Sequence, residues 1–110
     1  MTPDEKTALI QELHAKYPSA TLSESSPDCE PETFVIFRNA SRIEYNTYRQ
    51  QREADATRFD SDTNLAMVCV VHPDRPTLQT ILDRLPAFAS SLAVDIVHAS
   101  GGLKSSVKKV

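Results

Sequence analysis

The chain lacks tryptophan altogether and contains only two glycines and two cysteines among its 110 residues. With so few glycines it has no loop of the kind that cradles a phosphate, which excludes the glycine-rich nucleotide-binding motifs. Its aromatic residues are three tyrosines and four phenylalanines, so we expect a core built mainly on leucine, isoleucine, valine and alanine. Cys69 lies inside an apolar run and is expected to be a buried free thiol, whereas Cys29 lies in a polar loop.

No positively charged start followed by an apolar segment marks a secretory signal, and no apolar stretch approaches the roughly 20 residues that a membrane span needs. We therefore expect a reduced, cytoplasmic protein that has no membrane partner. A chain of 110 residues is long enough for one domain and too short for a second independent one.

The formal net charge of -3 and the isoelectric point near 5.5 argue against nucleic acid as the default partner, because phosphate binding draws on a basic field. The charge is unevenly distributed, however. Residues 1–32 are rich in acids, whereas the next part of the chain carries Arg38, Arg42, Arg49, Arg52 and Arg58. Opposed patches of this kind suit a contact with another protein.

The first third of the chain predicts one helix and a pair of strands. Thr2 and Glu5 form a capping box around Pro3, so a helix is expected from residue 3 to about residue 16, with Leu9 and Leu13 on its apolar stripe. Residues 20–22 and 34–37 are interpreted as short antiparallel strands on either side of an acidic loop at 25–31. Two strands alone are marginal in water, so they must lie against a helix.

Three further helical segments are separated by caps and prolines. Ser41 and Glu44 form a second capping box, which opens a helix reaching about residue 58. Residues 60–62 are expected to cap a third helix, from about residue 62 to residue 71, although the β-branched run at its end fits a buried strand equally well. Asp74, or Arg75 just before Pro76, caps a fourth helix with apolar residues at 78, 81, 82 and 85.

A fifth helix is expected to have Pro86 in its first turn and Gly101 as its left-handed closing residue. The predicted fold is therefore α+β and predominantly α-helical, with about five short helices and a small antiparallel strand pair between helices 1 and 2. We expect residues 1–102 to form a single domain and residues 103–110 to be a flexible basic tail.

Metal binding and catalysis have weak support in the sequence. Cys69 and His72 have a spacing that fits two ligands on one helical face, but a closed zinc site needs four ligands, and the remaining cysteine and histidines show no paired spacing. Asp95 and His98 lie near several serines, yet nothing encodes an oxyanion site. We therefore expect no metal, no cofactor and no catalytic residue.

The arginines and tyrosines of the second helix are one alternative site for a phosphate backbone. Acidic residues are interleaved with them, and a pair such as Arg49 with Glu53 at i, i+4 would neutralise much of the field. A solvated face or a protein interface is the preferred interpretation.

From residue 34 onward the order of these signals resembles that of the tail assembly chaperones of long-tailed phages. The resemblance covers about two thirds of the chain. Its matching parts are the strand end Phe37-Arg38, the helix start Ser41-Arg42-Ile43-Glu44-Tyr45 with Tyr48 beyond it, the run Cys69-Val70-Val71-His72-Pro73-Asp74, and the break Leu85-Pro86-Ala87 between two short helices.

The resemblance implies a non-enzymatic role in the host cytoplasm. Members of this family bind the tape measure protein, a long apolar helical rod, and keep it soluble until tail tube subunits assemble around it. The tail tube protein is then a second expected partner, and self-association is left open. The family also implies a longer product made by ribosomal frameshifting, which no protein sequence can show.

The family provides no residue-level site, so the expected contacts come from interface chemistry, in which exposed aromatic and arginine side chains dominate. We expect the partner to be bound by Tyr45, Tyr48, Arg49 and Arg52 on the second helix and by Leu78, Leu82 and Phe88 as exposed apolar positions of the last two helices. Packing of the two tyrosines against the strands is an equal alternative. A structural or adaptor protein of a phage or prophage particle is the second functional hypothesis, and a small nucleic-acid-binding regulator is the third.

Overall fold

The computed structural model describes residues 1–102, so the predicted basic tail at 103–110 lies outside the described residues. The described chain contains five α-helices, three short strands and one turn of 3-10 helix. In chain order these are α1 (Pro3–Lys16), β1 (Leu22–Ser25), β2 (Val35–Arg38), α2 (Arg42–Glu53), the 3-10 turn (Arg58–Asp60), α3 (Ser61–Cys69), β3 (Val70–His72), α4 (Arg75–Arg84) and α5 (Phe88–Ala99). The expected α+β class, with a strand pair between the first two helices, is confirmed.

Both predicted capping boxes are present. At the start of α1 the Thr2 hydroxyl accepts from the Glu5 amide, and the Glu5 carboxylate accepts from the Thr2 amide. Ser41 and Glu44 make the same reciprocal pair at the start of α2. These contacts satisfy amide groups that have no partner inside a helix, which is why the starts of both helices could be predicted.

The ends of α2 and α3 were predicted wrongly. Helix α2 ends at Glu53 instead of near residue 58, because Ala54 adopts an extended conformation and the Thr57 hydroxyl donates to the Gln51 carbonyl at 2.8 Å. Helix α3 ends at Cys69 instead of residue 71, and the β-branched residues that follow form β3, so the alternative of a strand in this run is the one that forms. The expected cap at 60–62 is also absent, since Asp60 makes no side-chain hydrogen bond at the start of α3.

The last two helices follow the prediction more closely. The Asp74 carboxylate accepts from the Thr77 amide at 3.0 Å and caps α4. Gly101 has a φ of 92° and ends α5 in the left-handed region, as expected. Pro86, in contrast, lies in the turn before α5 and outside its first helical turn, because α5 begins only at Phe88.

The three strands form one antiparallel sheet in the order β1-β2-β3, with a register shift between Ile36 and Phe37. Val35 and Phe37 point to the inner face of the sheet and are fully or almost fully buried. Val35 packs in one cluster with α3, α4 and α5, and Phe37 packs in a second cluster with α2, α3 and α5. Helix α5 is therefore the centre of the domain.

Helix α1 contacts the outer face of the sheet through the Lys6 side chain. Ile36 points to this face and is only 3% exposed. The Lys6 ammonium of α1 pairs with the carboxylate of Glu24, which lies opposite Ile36 in the sheet, and also lies 4.6 Å from the centre of the Phe34 ring. Leu13 is the only buried residue of α1, so this helix contributes much less to the core than its predicted apolar stripe suggested.

Candidate partner-binding surface on helix α2

Helix α2 lies on the domain with one side packed and both flanks open. Its only buried residue is Tyr48, which packs in the cluster formed with α3 and α5. Residues 43, 47 and 51 are four apart and follow one flank, whereas residues 45, 49 and 52 follow the other. A cleft lies along each flank.

The first cleft, here called the α2–α3 groove, has a volume of about 270 Å³. Its apolar rim consists of Ile43 on α2 and Val68 on α3, whose side chains are 79% and 42% exposed. Leu65 forms part of the floor, and Thr47 and Gln51 supply neutral polar groups. Glu44 also lines the groove, and its carboxylate is paired with Arg38, so the groove offers apolar contact area beside one neutralised charge.

The second cleft, here called the α2–α5 cleft, has a volume of about 330 Å³. Four of the residues predicted to bind a partner line it, namely Tyr45, Tyr48, Arg49 and Arg52, together with Val94 and Val97 from α5. Val94 is 48% exposed, so the α5 side of the cleft presents apolar surface to solvent. The structure therefore brings together all the α2 residues that interface chemistry had selected.

Tyr48 does not present its hydroxyl to solvent, because a polar network holds it. The hydroxyl donates to Asp62 at 2.8 Å and accepts from Arg52 at 3.0 Å, while the guanidinium of Arg52 lies 5.6 Å from the centre of the Tyr48 ring. Asp62 also accepts from Ser90 of α5 at 3.2 Å. Burial, followed by the hydrogen bond to Asp62, raises the pKa of Tyr48. The network joins α2, α3 and α5 beneath the cleft.

Packing against the core also determines where the rings of the two tyrosines lie. Tyr48 is 9% exposed and Tyr45 is partly buried against the same cluster, with ring centres 6.5 Å apart. Both tyrosines therefore contribute to the domain itself. Tyr45 keeps part of its ring at the surface of the cleft.

The arginines near α2 differ in whether a carboxylate neutralises them. Arg38 pairs with Glu44, and Arg58 pairs with Asp55. Arg52 contacts Asp62 at 3.3 Å. Arg49 has no ion pair with any carboxylate among residues 1–102, and its predicted pair with Glu53 does not form. Of the two arginines that line the α2–α5 cleft, Arg49 is thus the one whose charge no described carboxylate neutralises.

The expectation that Leu78, Leu82 and Phe88 are exposed positions was wrong. Leu78 is 1% exposed, Leu82 4% and Phe88 6%, and all three pack in the cluster with Val35. The apolar stripe of α4 and the start of α5 are used to bury surface inside the domain. At these exposures the three side chains present little apolar surface to a partner, although Phe88 lines a further cleft beside Pro86.

The sequence did not identify the three exposed apolar residues of the two clefts, namely Ile43, Val68 and Val94. Ile43 lies on the other flank of α2 from Tyr45, and an apolar side chain at that position was the available signal. Val68 and Val94 are embedded in apolar runs, where the pattern alone does not distinguish an inner from an outer position.

The other residues weighed for chemistry are held apart. Cys69 is fully buried, and burial raises the pKa of its thiol to about 11. His72 belongs to the outer part of the sheet, where its ring stacks on Phe34 at 5.5 Å. Asp95 accepts a hydrogen bond from Ser25 at 2.8 Å. Within the described part of the chain, no three histidine, cysteine or carboxylate side chains come together as possible metal ligands.

None of the helices in residues 1–102 has the length and hydropathy needed to cross a bilayer. Comparisons of the chain with models of protein families, with curated proteins and with solved structures gave no match.

Proposed function

We propose that this protein is a non-enzymatic tail assembly chaperone that binds the tape measure protein of a long-tailed phage in the host cytoplasm. The client is a helical rod with apolar seams. This protein holds the rod until tail tube subunits assemble. The identity of the client rests on the resemblance found in the sequence. The binding mode rests on the two clefts that flank α2.

The observation that carries the proposal is the exposed apolar rim of the α2–α3 groove. Ile43 and Val68 both line this groove, and 79% and 42% of their surface is exposed. Burying apolar surface is worth about 25 cal/mol per Å², so both side chains gain free energy when an apolar helix covers them. An amphipathic helix laid in a groove is a common mode of protein recognition.

The polar network around Tyr48 supports a binding role for this surface. Because Tyr48, Arg52 and Asp62 are already joined by hydrogen bonds, the walls of the α2–α5 cleft are held in place before a partner arrives. A surface that needs little ordering loses less conformational entropy on binding. The same network uses the polar groups near α2 for internal contacts, which favours binding over catalysis there.

Co-expression of the chain with a tape measure fragment in bacterial cells tests the proposal. We expect the fragment to accumulate in the soluble fraction with the wild-type chain and to become insoluble with the double variant Ile43→Asp, Val68→Asp. The matched control is Phe59→Asp, because Phe59 is 93% exposed and lines neither cleft. This control should protect the fragment as well as the wild type does.

Thermal unfolding of the three purified chains checks that the substitutions leave the domain folded. Equal protection by the wild type and the groove variant would contradict the binding mode, and an insoluble fragment with the wild type would contradict the chaperone role. Mass spectrometry of purified virions distinguishes a chaperone from the main alternative, a structural or adaptor protein. A chaperone is absent from the particle, whereas a structural or adaptor protein is retained in it.

A further inference from the structure

The α2–α5 cleft combines apolar walls with one open positive charge. Tyr45 and Val94 present apolar surface, and Arg49 lies on the same rim without an ion pair among the described carboxylates. Arg52 shares the cleft but already contacts Asp62 at 3.3 Å. A ligand that fills this cleft therefore finds one cation whose charge is still to be matched.

We infer that Arg49 makes the α2–α5 cleft selective for an amphipathic helix that carries a glutamate or aspartate beside its apolar seam. This inference rests on the proposed function, because it names the class of helical client that the surface prefers. The apolar seam would cover Tyr45 and Val94, and the flanking carboxylate would accept from the guanidinium of Arg49. Arginine suits this task because its planar group can donate two parallel hydrogen bonds to one carboxylate.

Helix geometry allows both contacts at once. Residues three and four apart lie on the same face of a helix, so an acid next to the seam reaches the rim while the seam lies in the cleft. The attraction acts at a surface exposed to solvent, and salt screens it. Selectivity for acidic helices should therefore be strongest at low ionic strength.

A nucleic acid fits the cleft less well than an acidic helix does. Tyr48 is 9% exposed and holds its hydroxyl in the Asp62 network, so it is not available as a platform for a base. The guanidinium groups of Arg52 and Arg58 already contact carboxylates of the chain. Arg42 and Arg49 are the two arginines of α2 without an ion pair among the described carboxylates, and two such cations do not make the continuous positive groove that single-stranded nucleic acids require.

Two synthetic helical peptides of about 18 residues, which is five turns, provide the probe. They share one leucine seam and differ only in that the flanking residues are glutamates in one peptide and lysines in the other. Fluorescence anisotropy with the full-length chain measures binding at about 50 mM and about 300 mM salt. We expect the wild type to prefer the glutamate peptide by roughly two- to fivefold at low salt, which is the range that an exposed ion pair supplies, with a smaller preference at high salt.

Two substitutions and one control assign this preference to Arg49. Arg49→Gln should abolish the preference, and Arg49→Glu should reverse it. Arg75→Glu makes the same change of charge on an exposed residue at the start of α4, outside both clefts, and should leave the preference unchanged. Because Arg49 is exposed, none of these variants should alter the unfolding temperature by more than a few degrees.

Equal binding of both peptides to the wild type would overturn the inference, as would an unchanged preference in Arg49→Glu. Displacement of the glutamate peptide by single-stranded DNA at equal concentration would overturn it in favour of a nucleic-acid site. The tape measure assay keeps the two proposals separate. If the client stays soluble with Ile43 and Val68 intact while the peptides are not distinguished, only the selectivity of Arg49 is wrong.

Discussion

The ion pair between Arg38 and Glu44 joins the end of β2 to the first turn of α2, and we predict that Glu44→Gln destabilises the domain at neutral pH. The guanidinium donates to both carboxylate oxygens, at 2.8 Å and 2.7 Å. A further donor, the Ser41 amide, lies 2.9 Å from the carboxylate. These contacts, above all the one to Arg38, lower the pKa of Glu44 to about 2 from its ordinary value of 4.5.

The size of the effect follows from the burial and chemistry of the pair. Hydrogen bonds to charged groups contribute about 1.5–3 kcal/mol, and glutamine keeps one acceptor oxygen for the Ser41 amide. The side chains of Arg38 and Glu44 are 23% and 24% exposed, so partial screening by solvent places the loss near the lower end, at about 1.5 kcal/mol. For a domain of this size, such a loss lowers the unfolding temperature by roughly 6 °C.

The pH dependence gives this prediction its sharpest test. Because the folded pKa of Glu44 lies below the unfolded value, its contribution is complete above pH 4.5 and is lost as the pH falls toward 2. Urea unfolding at a series of pH values should show a gap between wild type and Glu44→Gln at pH 7 that closes in this window. The matched control is Glu53→Gln, an exposed position at the end of the same helix, for which we expect no comparable gap.

A gap of equal size at every pH would refute the reasoning, because it would mean that the charge of Glu44 does not carry the stabilisation. The absence of a gap at pH 7 would refute it as well.

Three further predictions concern the core, the cysteines and the end of α5. Leu92→Ala removes a fully buried side chain at the centre of the domain and should cost about 2–5 kcal/mol in urea unfolding, whereas Val94→Ala, at a 48% exposed position, should cost much less. Iodoacetamide should modify exposed Cys29 in the native protein and reach Cys69 only on unfolding, because that thiol is buried with a pKa of about 11. Gly101→Ala should destabilise by about 1 kcal/mol in thermal unfolding, since φ is 92° there.

The parts of the fold that the sequence predicted are those decided by local chemistry. A hydroxyl and a carboxylate three residues apart fix the starts of α1 and α2, and Asp74 fixes the start of α4. Each of these signals depends on contacts within one helical turn, so it can be recognised without the rest of the domain.

The errors in the fold lie where contacts beyond one helical turn decide. The β-branched residues after Cys69 leave the helix because β2 offers them a strand partner, and no local signal indicates that this partner is near. Helix α2 stops at Glu53 because Ala54 adopts an extended conformation and the Thr57 hydroxyl donates to the Gln51 carbonyl. At both ends these contacts outweigh local helix propensity.

The candidate site was predicted in part for a related reason. Residue type identified Tyr45 and Arg49 as interface residues, and the structure places both at one cleft. Residue type also selected Leu78, but an apolar stripe has the same appearance whether it packs inside the domain or against another molecule. Distinguishing these cases requires knowing which faces the domain has already covered.

Helix α1 is held to the domain more weakly than α5 is. This helix buries a single leucine and is linked to the sheet through Lys6, whereas α5 buries six of its residues. The free energy needed to lift α1 from the sheet is therefore smaller than that needed to melt the domain. Amide hydrogens of α1 should exchange with solvent through this partial opening, and a protease should cut the first 16 residues while the remainder stays intact.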